Sequence, residues 1–198
     1  MAAEPQRTRR GHPVRTVYNT ATSLDGFIAD QDNSLEWLFS VEEPEPGSAD
    51  ATALGETEDF IARAGAIVMG ATTYEWIVEH ESGKPWPYQV PTWVLTHREL
   101  PRVGGNLVFA AADSDQELRD LHAEMVGAAD GRDVWVVGGG RLAADLARLG
   151  LLDEVVVSIA PVSLGGGAPL LDGRVRLRAL EAKLLGAFAC LRYEVVRD

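Results

Sequence analysis

Cysteine, lysine and long apolar runs are scarce in this 198-residue chain, and each scarcity excludes a class of protein. The single cysteine, Cys190, permits no disulfide framework and no cysteine-based zinc site, and we expect it to be a buried structural thiol. The four histidines lack metal-ligand spacing, so no metal site is predicted. No apolar run approaches the roughly 20 residues of a membrane span, and no signal-type apolar core follows the first residues. We therefore expect a cytoplasmic protein without a membrane partner.

Basic residues are outnumbered, with 18 against 30 acidic ones, which gives a formal net charge of −12. This balance disfavours nucleic acid as a partner, because phosphate backbones require a broad basic surface. Only Lys84 and Lys183 are lysines, so a bound anion would rely on arginine side chains or on backbone N–H groups at helix starts. No P-loop lysine motif and no Ser/His/Asp arrangement is present, so kinase and hydrolase chemistry have no support.

Short apolar strands alternate with amphipathic helices, a pattern typical of an α/β protein. Residues 1–13 are expected to be a flexible tail and residues 14–198 a single domain. The predicted strands are 14–21, 66–70, 92–96, 106–110, 134–137, 155–159 and 188–196, with a short segment near 175–180. The predicted helices are 50–64, a short one from 72 or 73 to 78, 113–126 and 142–149. The strand–helix–strand order within 134–159 predicts a parallel sheet.

The glycine run Gly138, Gly139 and Gly140 lies between a predicted buried strand and a predicted helix. Such a turn exposes unobstructed N–H groups at the positive end of the helix dipole, which suits a pyrophosphate. The run fits a dinucleotide fingerprint, but the next strand ends without the acidic residue that would hold a ribose. A tight turn without a ligand stays the alternative. A second run, 165–167, precedes no clear helix and is interpreted as a flexible loop beside a site or a plain surface loop.

Polar residues follow two other predicted strands. Thr72 and Thr73 offer hydroxyls to an anion, although capping a helix is the commoner role of such a threonine. Thr96, His97 and Arg98 follow the next strand, and the Arg98 guanidinium suits a 2′-phosphate or an adenine ring. A solvated loop is the alternative for this second group.

Asp25 is the most suggestive carboxylate, because it lies at a turn between two apolar segments. A raised pKa or a directing hydrogen bond at this position would serve catalysis. Aspartate is equally a common turn-forming residue.

Five segments in order are similar to the dihydrofolate reductase-like superfamily, in the branch named for the C-terminal reductase domain of the bacterial riboflavin-biosynthesis deaminase-reductase. They are SLDGFIAD, VMGATTYE, WVLTHR, VWVVGGGRLAADL and DEVVVSIAPVSLGGGAPLL. The resemblance implies a three-layer α/β/α fold with a mostly parallel mixed sheet and antiparallel C-terminal strands. It also implies NADPH as hydride donor, with NADH as the alternative, and a homodimer.

The resemblance also implies roles for individual residues. Those expected to line the cofactor pyrophosphate are Gly138, Gly139, Gly140, Arg141 and Leu142 on one side, and Gly70, Ala71, Thr72 and Thr73 on the other. Those expected near the adenosine are Thr96, His97 and Arg98, and those bordering the nicotinamide and substrate are Ala21, Asp25 and Trp37. Three features depart from the pattern: Ala71 replaces an arginine of many relatives, and Val137 replaces a glutamate of the riboflavin-pathway reductases. The stretch 51–55 also lacks the carboxylate with which true folate reductases protonate a pterin.

The implied function is transfer of a hydride from NAD(P)H to a C=N or C=O bond of a small pyrimidine- or pterin-like heterocycle. The model activity is that of 5-amino-6-(5-phosphoribosylamino)uracil reductase in riboflavin biosynthesis. Because no deaminase zinc motif is present, a stand-alone reductase domain is expected. Asp25 is the candidate catalytic residue, ordering the pocket or relaying a proton through water. The alternative is a nucleotide-binding protein of the same fold without catalysis, acting as a sensor or scaffold.

Overall fold

The computed structural model of this chain describes residues 13–41 and 60–197. The strands are β1 (Thr16–Thr22), β2 (Phe27–Ala29), β3 (Ala64–Gly70), β4 (Thr92–Leu95), β5 (Leu107–Ala110), β6 (Asp133–Gly138), β7 (Glu154–Ile159), β8 (Ala168–Pro169), β9 (Leu177–Leu185) and β10 (Phe188–Val195). The helices are α1 (Glu36–Phe39), α2 (Ala71–His80), α3 (Asp115–Ala128) and α4 (Gly140–Arg148).

Eight strands form one mixed sheet in the order β5-β4-β3-β6-β1-β7-β10-β9. The first six of these are parallel to one another, whereas β10 is antiparallel to β7 and to β9. The predicted mostly parallel sheet with antiparallel C-terminal strands is therefore confirmed. A separate two-stranded antiparallel sheet pairs β2 with β8.

Helices pack on both faces of the large sheet. Successive side chains of a strand point to opposite faces, so the apolar strands present a face to be covered on each side. Val68 and Val136 belong to the core that contains residues of α3 and α4. Their neighbours Ile67 and Trp135 belong to a second core with residues of α2. The result is the predicted three-layer α/β/α arrangement.

The N-terminal boundary of β3 differs from its prediction. Residues 60–63 of the predicted helix 50–64 are helical, whereas its residues 50–59 lie outside the described part of the chain. The predicted tail 1–13 also lies outside it, except for residue 13. Ala64 and Gly65 already belong to β3, so Gly65 does not end the helix as expected. A Cβ at Gly65 would lie 2.1 Å from the carbonyl oxygen of Ala129, so close packing against the end of α3 requires the glycine.

Three strands were absent from, or shortened in, the sequence-based prediction. β2 and β8 have three and two residues, too few to give a periodic pattern. The segment near 175–180 is the beginning of β9, a nine-residue strand. Because β9 is an edge strand with mostly exposed side chains, it lacks the apolar alternation that marks a half-buried strand.

Within residues 13–41 and 60–197, no helix is both long and apolar enough to cross a membrane. Nor do these ranges contain a group of three or more His, Cys, Asp or Glu side chains arranged to hold a metal ion. Cys190 is buried, as predicted.

Candidate functional site

Two helices begin side by side at the carboxyl edge of the parallel strands. β3 and β6 are neighbours in the sheet, and each leads directly into a helix, α2 after Gly70 and α4 after Gly139. Both N-cap glycines have extended backbones, and neither helix start has a side-chain cap. The N–H groups of both first turns therefore keep their capacity to bind an anion, which the helix dipoles favour.

The three consecutive glycines have different surroundings. A Cβ at Gly138 would lie 2.9 Å from Thr73 Oγ1, and one at Gly140 would lie 2.1 Å from the carbonyl oxygen of Pro169. At Gly139 the nearest atom would be Ile28 Cδ1, 3.9 Å away. Backbone packing therefore requires glycine at Gly140, and a side chain at Gly138 would displace the Thr73 hydroxyl, whereas Gly139 leaves open space in front of α4.

This open space belongs to a cleft of about 460 Å³ at the same edge. Six of the residues predicted to bind a cofactor line it together: Thr72, Thr73, Gly138, Gly139, Gly140 and Arg141. The Arg141 side chain is exposed in the first turn of α4 and forms no ion pair with the described residues. The cleft thus combines helix N-termini, two hydroxyls and one available guanidinium.

The other wall of the cleft is largely aromatic and apolar. The rings of Tyr88 and Trp135 pack edge to face at 5.5 Å, and Trp135 Nε1 donates a hydrogen bond of 3.1 Å to the carbonyl oxygen of Asn19. Sequence reasoning missed the following lining residues: Asn19, Thr20, Ile28, Ala29, Asn33, Leu35, Trp76, Ile77, Tyr88, Trp135, Val137, Ala168, Pro169 and Asp172. The continuous apolar run VWVV marked Trp135 as buried but could not tell which element faces it.

Gly70, Ala71 and Leu142 lie beside the cleft but do not line it. Gly70 is the N-cap of α2, Ala71 is its first residue, and Leu142 is in the first turn of α4. Their backbone positions fit the expectation that both helix starts face one ligand. A Cβ at Gly70 would meet no atom within 4 Å.

Thr96, His97 and Arg98 lie after β4, next to β3 in the sheet and outside the cleft lining. Arg98 forms an ion pair of 2.6 Å with Glu75 of α2. His97 lies 3.5 Å from Asp113, and the Arg98 backbone N–H donates to Thr96 Oγ1. The guanidinium predicted to meet an adenosine phosphate is therefore present, but paired with a carboxylate.

Ala21 and Trp37 do not line the cleft, although the resemblance placed them at the substrate pocket. Ala21 is half-buried in β1 opposite Ser158 of β7. Trp37 is buried in α1, and its Nε1 has no hydrogen-bond partner among the described residues. Asn19 and Thr20 of β1 line the cleft instead.

Asp25 is exposed at the turn after β1, and its carboxylate accepts four hydrogen bonds. The hydroxyls of Ser23 (2.6 Å) and Ser163 (2.9 Å) and the backbone N–H groups of Leu164 (3.0 Å) and Gly165 (2.7 Å) all donate to it. These bonds, the Ser23 hydroxyl first, hold the pKa of Asp25 well below its usual range. Of the two possibilities considered from the sequence, the raised pKa is wrong, and a carboxyl ionised at neutral pH does not donate a proton.

The second glycine run is not the plain surface loop considered from the sequence. Gly167 has a φ of +141°, and a Cβ there would lie 2.0 Å from the carbonyl oxygen of Ala29. The run therefore packs against β2, and it continues into β8. Local sequence patterns could not reveal this contact, because the two segments are distant in sequence.

Solved structures place this architecture among known folds. A putative riboflavin biosynthesis protein from Shewanella sp. PV-4 superposes with a TM-score of 0.70 at 25% identity, covering 93% of this chain and 100% of its own. A pyrimidine reductase-like protein from Corynebacterium diphtheriae gives a TM-score of 0.61 at 16% identity, covering 93% of each chain. The fold is the dihydrofolate reductase-like α/β fold.

Residues 15–191 match the family described as the RibD C-terminal domain, and the chain belongs to that family. Among curated proteins, the uncharacterized protein YwjB of Bacillus subtilis (strain 168) is 29% identical over 183 residues, which is 90% of this chain and 97% of that protein. The chain is thus a reductase-like relative of riboflavin-pathway proteins.

Proposed function

We propose that this chain is an NAD(P)H-dependent oxidoreductase that delivers a hydride to a C=N or C=O bond of a small heterocycle. The observation that carries the proposal is the meeting of two helix N-termini without side-chain caps in one partly aromatic cleft. Glycine at position 139 fits this proposal, because any side chain there would enter the space in front of α4 that a phosphate would occupy. Family membership supports the same chemistry.

The residues present suit the phosphates of a dinucleotide. The backbone N–H groups that follow Gly139 and the Arg141 guanidinium would hold the pyrophosphate from one side. The hydroxyls of Thr72 and Thr73 would hold it from the other. The cofactor would supply the hydride. The chain would bind and orient the cofactor and exclude water from the site.

The aromatic wall would receive the nicotinamide and a flat substrate. Trp76, Tyr88 and Trp135 line this wall and make it apolar, which favours pyrimidine- or pterin-like rings and keeps water from the reacting atoms. Val137 lines this wall where riboflavin-pathway reductases usually have glutamate. A substrate different from their ribosylaminopyrimidine is therefore part of the proposal.

NADPH is the proposed donor, with NADH as the alternative. Arg98 lies after β4, beside α2, where the adenosine end is expected. A 2′-phosphate would compete with Glu75 for its guanidinium, because arginine forms bidentate pairs with either anion. This side chain would compensate for Ala71, which stands where many relatives have arginine.

Thermal unfolding with NADPH and NADH side by side tests cofactor binding. A ligand at 100 times its Kd should stabilise the folded chain by about 2.7 kcal/mol. NADPH oxidation is then followed with pyrimidines, pterins and aldehydes as acceptors. Absence of stabilisation by both nucleotides would refute the proposal.

A second candidate function is nucleotide binding without catalysis, as in a sensor or scaffold. It is favoured by Asp25, the predicted catalytic carboxylate, whose oxygens are engaged in holding two segments of the chain together. Tight NADPH binding without oxidation across the whole acceptor panel would select this function over the first.

A further inference from the structure

We propose that Asp25 is a positioning residue of the cofactor cleft, a role that rests on the function proposed above. Its carboxylate fastens the turn after β1 to the segment that precedes β8. That segment in turn packs against the start of α4, where the phosphates are proposed to bind. Asp25 thereby acts on the cofactor through the backbone of another segment and not by contact with it.

Three cross-links join the turn 23–27 to the segment 162–170. The Leu24 N–H donates to the carbonyl oxygen of Val162 at 2.7 Å, and the Leu170 N–H donates to that of Gly26 at 2.8 Å. Between them lies the Asp25 carboxylate with its donors on the 163–165 loop. Asp25 forms the central cross-link of the three. The acceptor in this cross-link is a side-chain carboxylate, whereas the acceptors in the two flanking cross-links are backbone carbonyl oxygens.

The segment fastened by Asp25 reaches the proposed phosphate site within five residues of Gly165. Gly167 packs on Ala29, and Pro169 pairs with β2. The carbonyl oxygens of Pro169 and Leu170 then lie so close to Gly140 that a Cβ there would approach them to 2.1 and 2.6 Å. A shift of this segment would consequently move or crowd the first turn of α4.

The negative charge of Asp25 is what the site requires. Four donors converge on two oxygens, and two of those donors are backbone N–H groups that cannot turn away. An asparagine would place its own NH₂ donors among them and lose part of the charge-assisted bonding. Because the site is exposed, a small carboxylate from solution can reach it once the side chain is removed.

The experiment compares the full-length chain with Asp25→Ala and Asp25→Asn, and with Asp32→Asn as a control. Asp32 lies on the same surface segment, is exposed and has no side-chain hydrogen bond in the described part of the chain. Amide hydrogen exchange is measured on nucleotide-free protein over 162–170 and 139–142. NADPH Kd and the maximal turnover at saturating NADPH are measured on the same samples, with and without formate.

We expect exchange over both segments and the NADPH Kd to rise about tenfold in Asp25→Ala, because a small displacement of a supporting element misplaces the groups it holds. Turnover at saturating NADPH should stay close to that of the parent. Formate should restore exchange and Kd in Asp25→Ala but leave the parent and Asp32→Asn unchanged. This rescue distinguishes a required carboxylate from a merely space-filling side chain.

Three results would overturn the inference. Unchanged exchange over 162–170 in Asp25→Ala would show that the carboxylate does not hold the loop. If exchange rose over 162–170 while exchange over 139–142 and the NADPH Kd stayed unchanged, the loop would not influence the start of α4. Absence of formate rescue would assign the effect to side-chain volume. If the parent binds neither nucleotide, the proposed function fails by itself, and the exchange data still decide whether Asp25 holds the loop and α4.

Discussion

Adding one methyl group to Gly139 or to Gly140 should produce opposite defects, although the two residues are adjacent. In Gly140→Ala the new Cβ would lie 2.1 and 2.6 Å from the carbonyl oxygens of Pro169 and Leu170, both backbone atoms that cannot rotate away. Overpacking of this kind costs about 3 kcal/mol. For a chain of this size that loss lowers the Tm by roughly 6–12 °C.

In Gly139→Ala the new Cβ would meet Ile28 only at 3.9 Å, and the φ of −98° suits an alanine. The free energy of unfolding should therefore stay within about 0.5 kcal/mol of the parent value. The methyl group would, however, occupy the space proposed for a phosphate. If NADPH binds ten times more weakly, a concentration of 100 times the parent Kd stabilises this variant by about 1.4 kcal/mol instead of about 2.7.

Differential scanning fluorimetry with and without NADPH measures both effects on the same samples. Gly127→Ala is the matched control, because it adds a methyl group in α3 with no atom within 4 Å. It should keep the full NADPH shift. A full shift in Gly139→Ala would place the phosphates elsewhere. A parent-like Tm in Gly140→Ala would contradict the packing of Pro169 on the glycine turn.

Three further predictions concern single side chains. Tyr18 is fully buried, its hydroxyl has Thr20 as a polar neighbour but no hydrogen bond of normal length among the described residues, and burial raises its pKa. Tyr18→Phe should therefore increase the free energy of unfolding in urea by about 1 kcal/mol. Burial lowers the pKa of His122, so the unfolded chain binds this proton at higher pH than the folded one. Stability from this group is complete above about pH 6.5 and falls below it, and His122→Gln should reduce the loss measured between pH 7.5 and pH 5.5; equal losses in both proteins would rule His122 out. Arg98→Ala should weaken NADPH about tenfold more than NADH by calorimetry, because only NADPH has a 2′-phosphate; equal weakening would remove Arg98 from its recognition.

Local patterns predicted the parts of the molecule in which neighbours in sequence are also neighbours in space. The run VWVVGGGRLAADL combines a buried strand, a glycine turn and an amphipathic helix, so its geometry follows from a few adjacent residues. The same holds for VMG followed by α2. The order of these units predicted parallel pairing, which brings their carboxyl ends to one edge, whereas the antiparallel C-terminal strands were implied by the family resemblance.

The surroundings of Asp25 could not be predicted from local sequence patterns. Its turn was evident from Asp25 and Gly26, but three of its four donors, on Ser163, Leu164 and Gly165, are about 140 residues away. The Ser23 hydroxyl, two residues away, contributes most to the lowered pKa of Asp25, and the three distant donors lower it further. A raised pKa was one possibility from the sequence because the three distant donors could not be foreseen.

The sequence by itself determined the order of the longer strands and helices, the two glycine-led helix starts and the family resemblance, because each depends on short-range periodicity or spacing. Tertiary structure alone decided that the space beside Gly140 is occupied by a neighbouring segment, whereas the space beside Gly139 is open. It also placed Tyr88 and Trp135 together in one wall of the cleft. It also decided that Asp25 fastens a distant loop. The physical reason is that periodicity reports whether a residue is buried, whereas the partner that buries it depends on how remote segments pack.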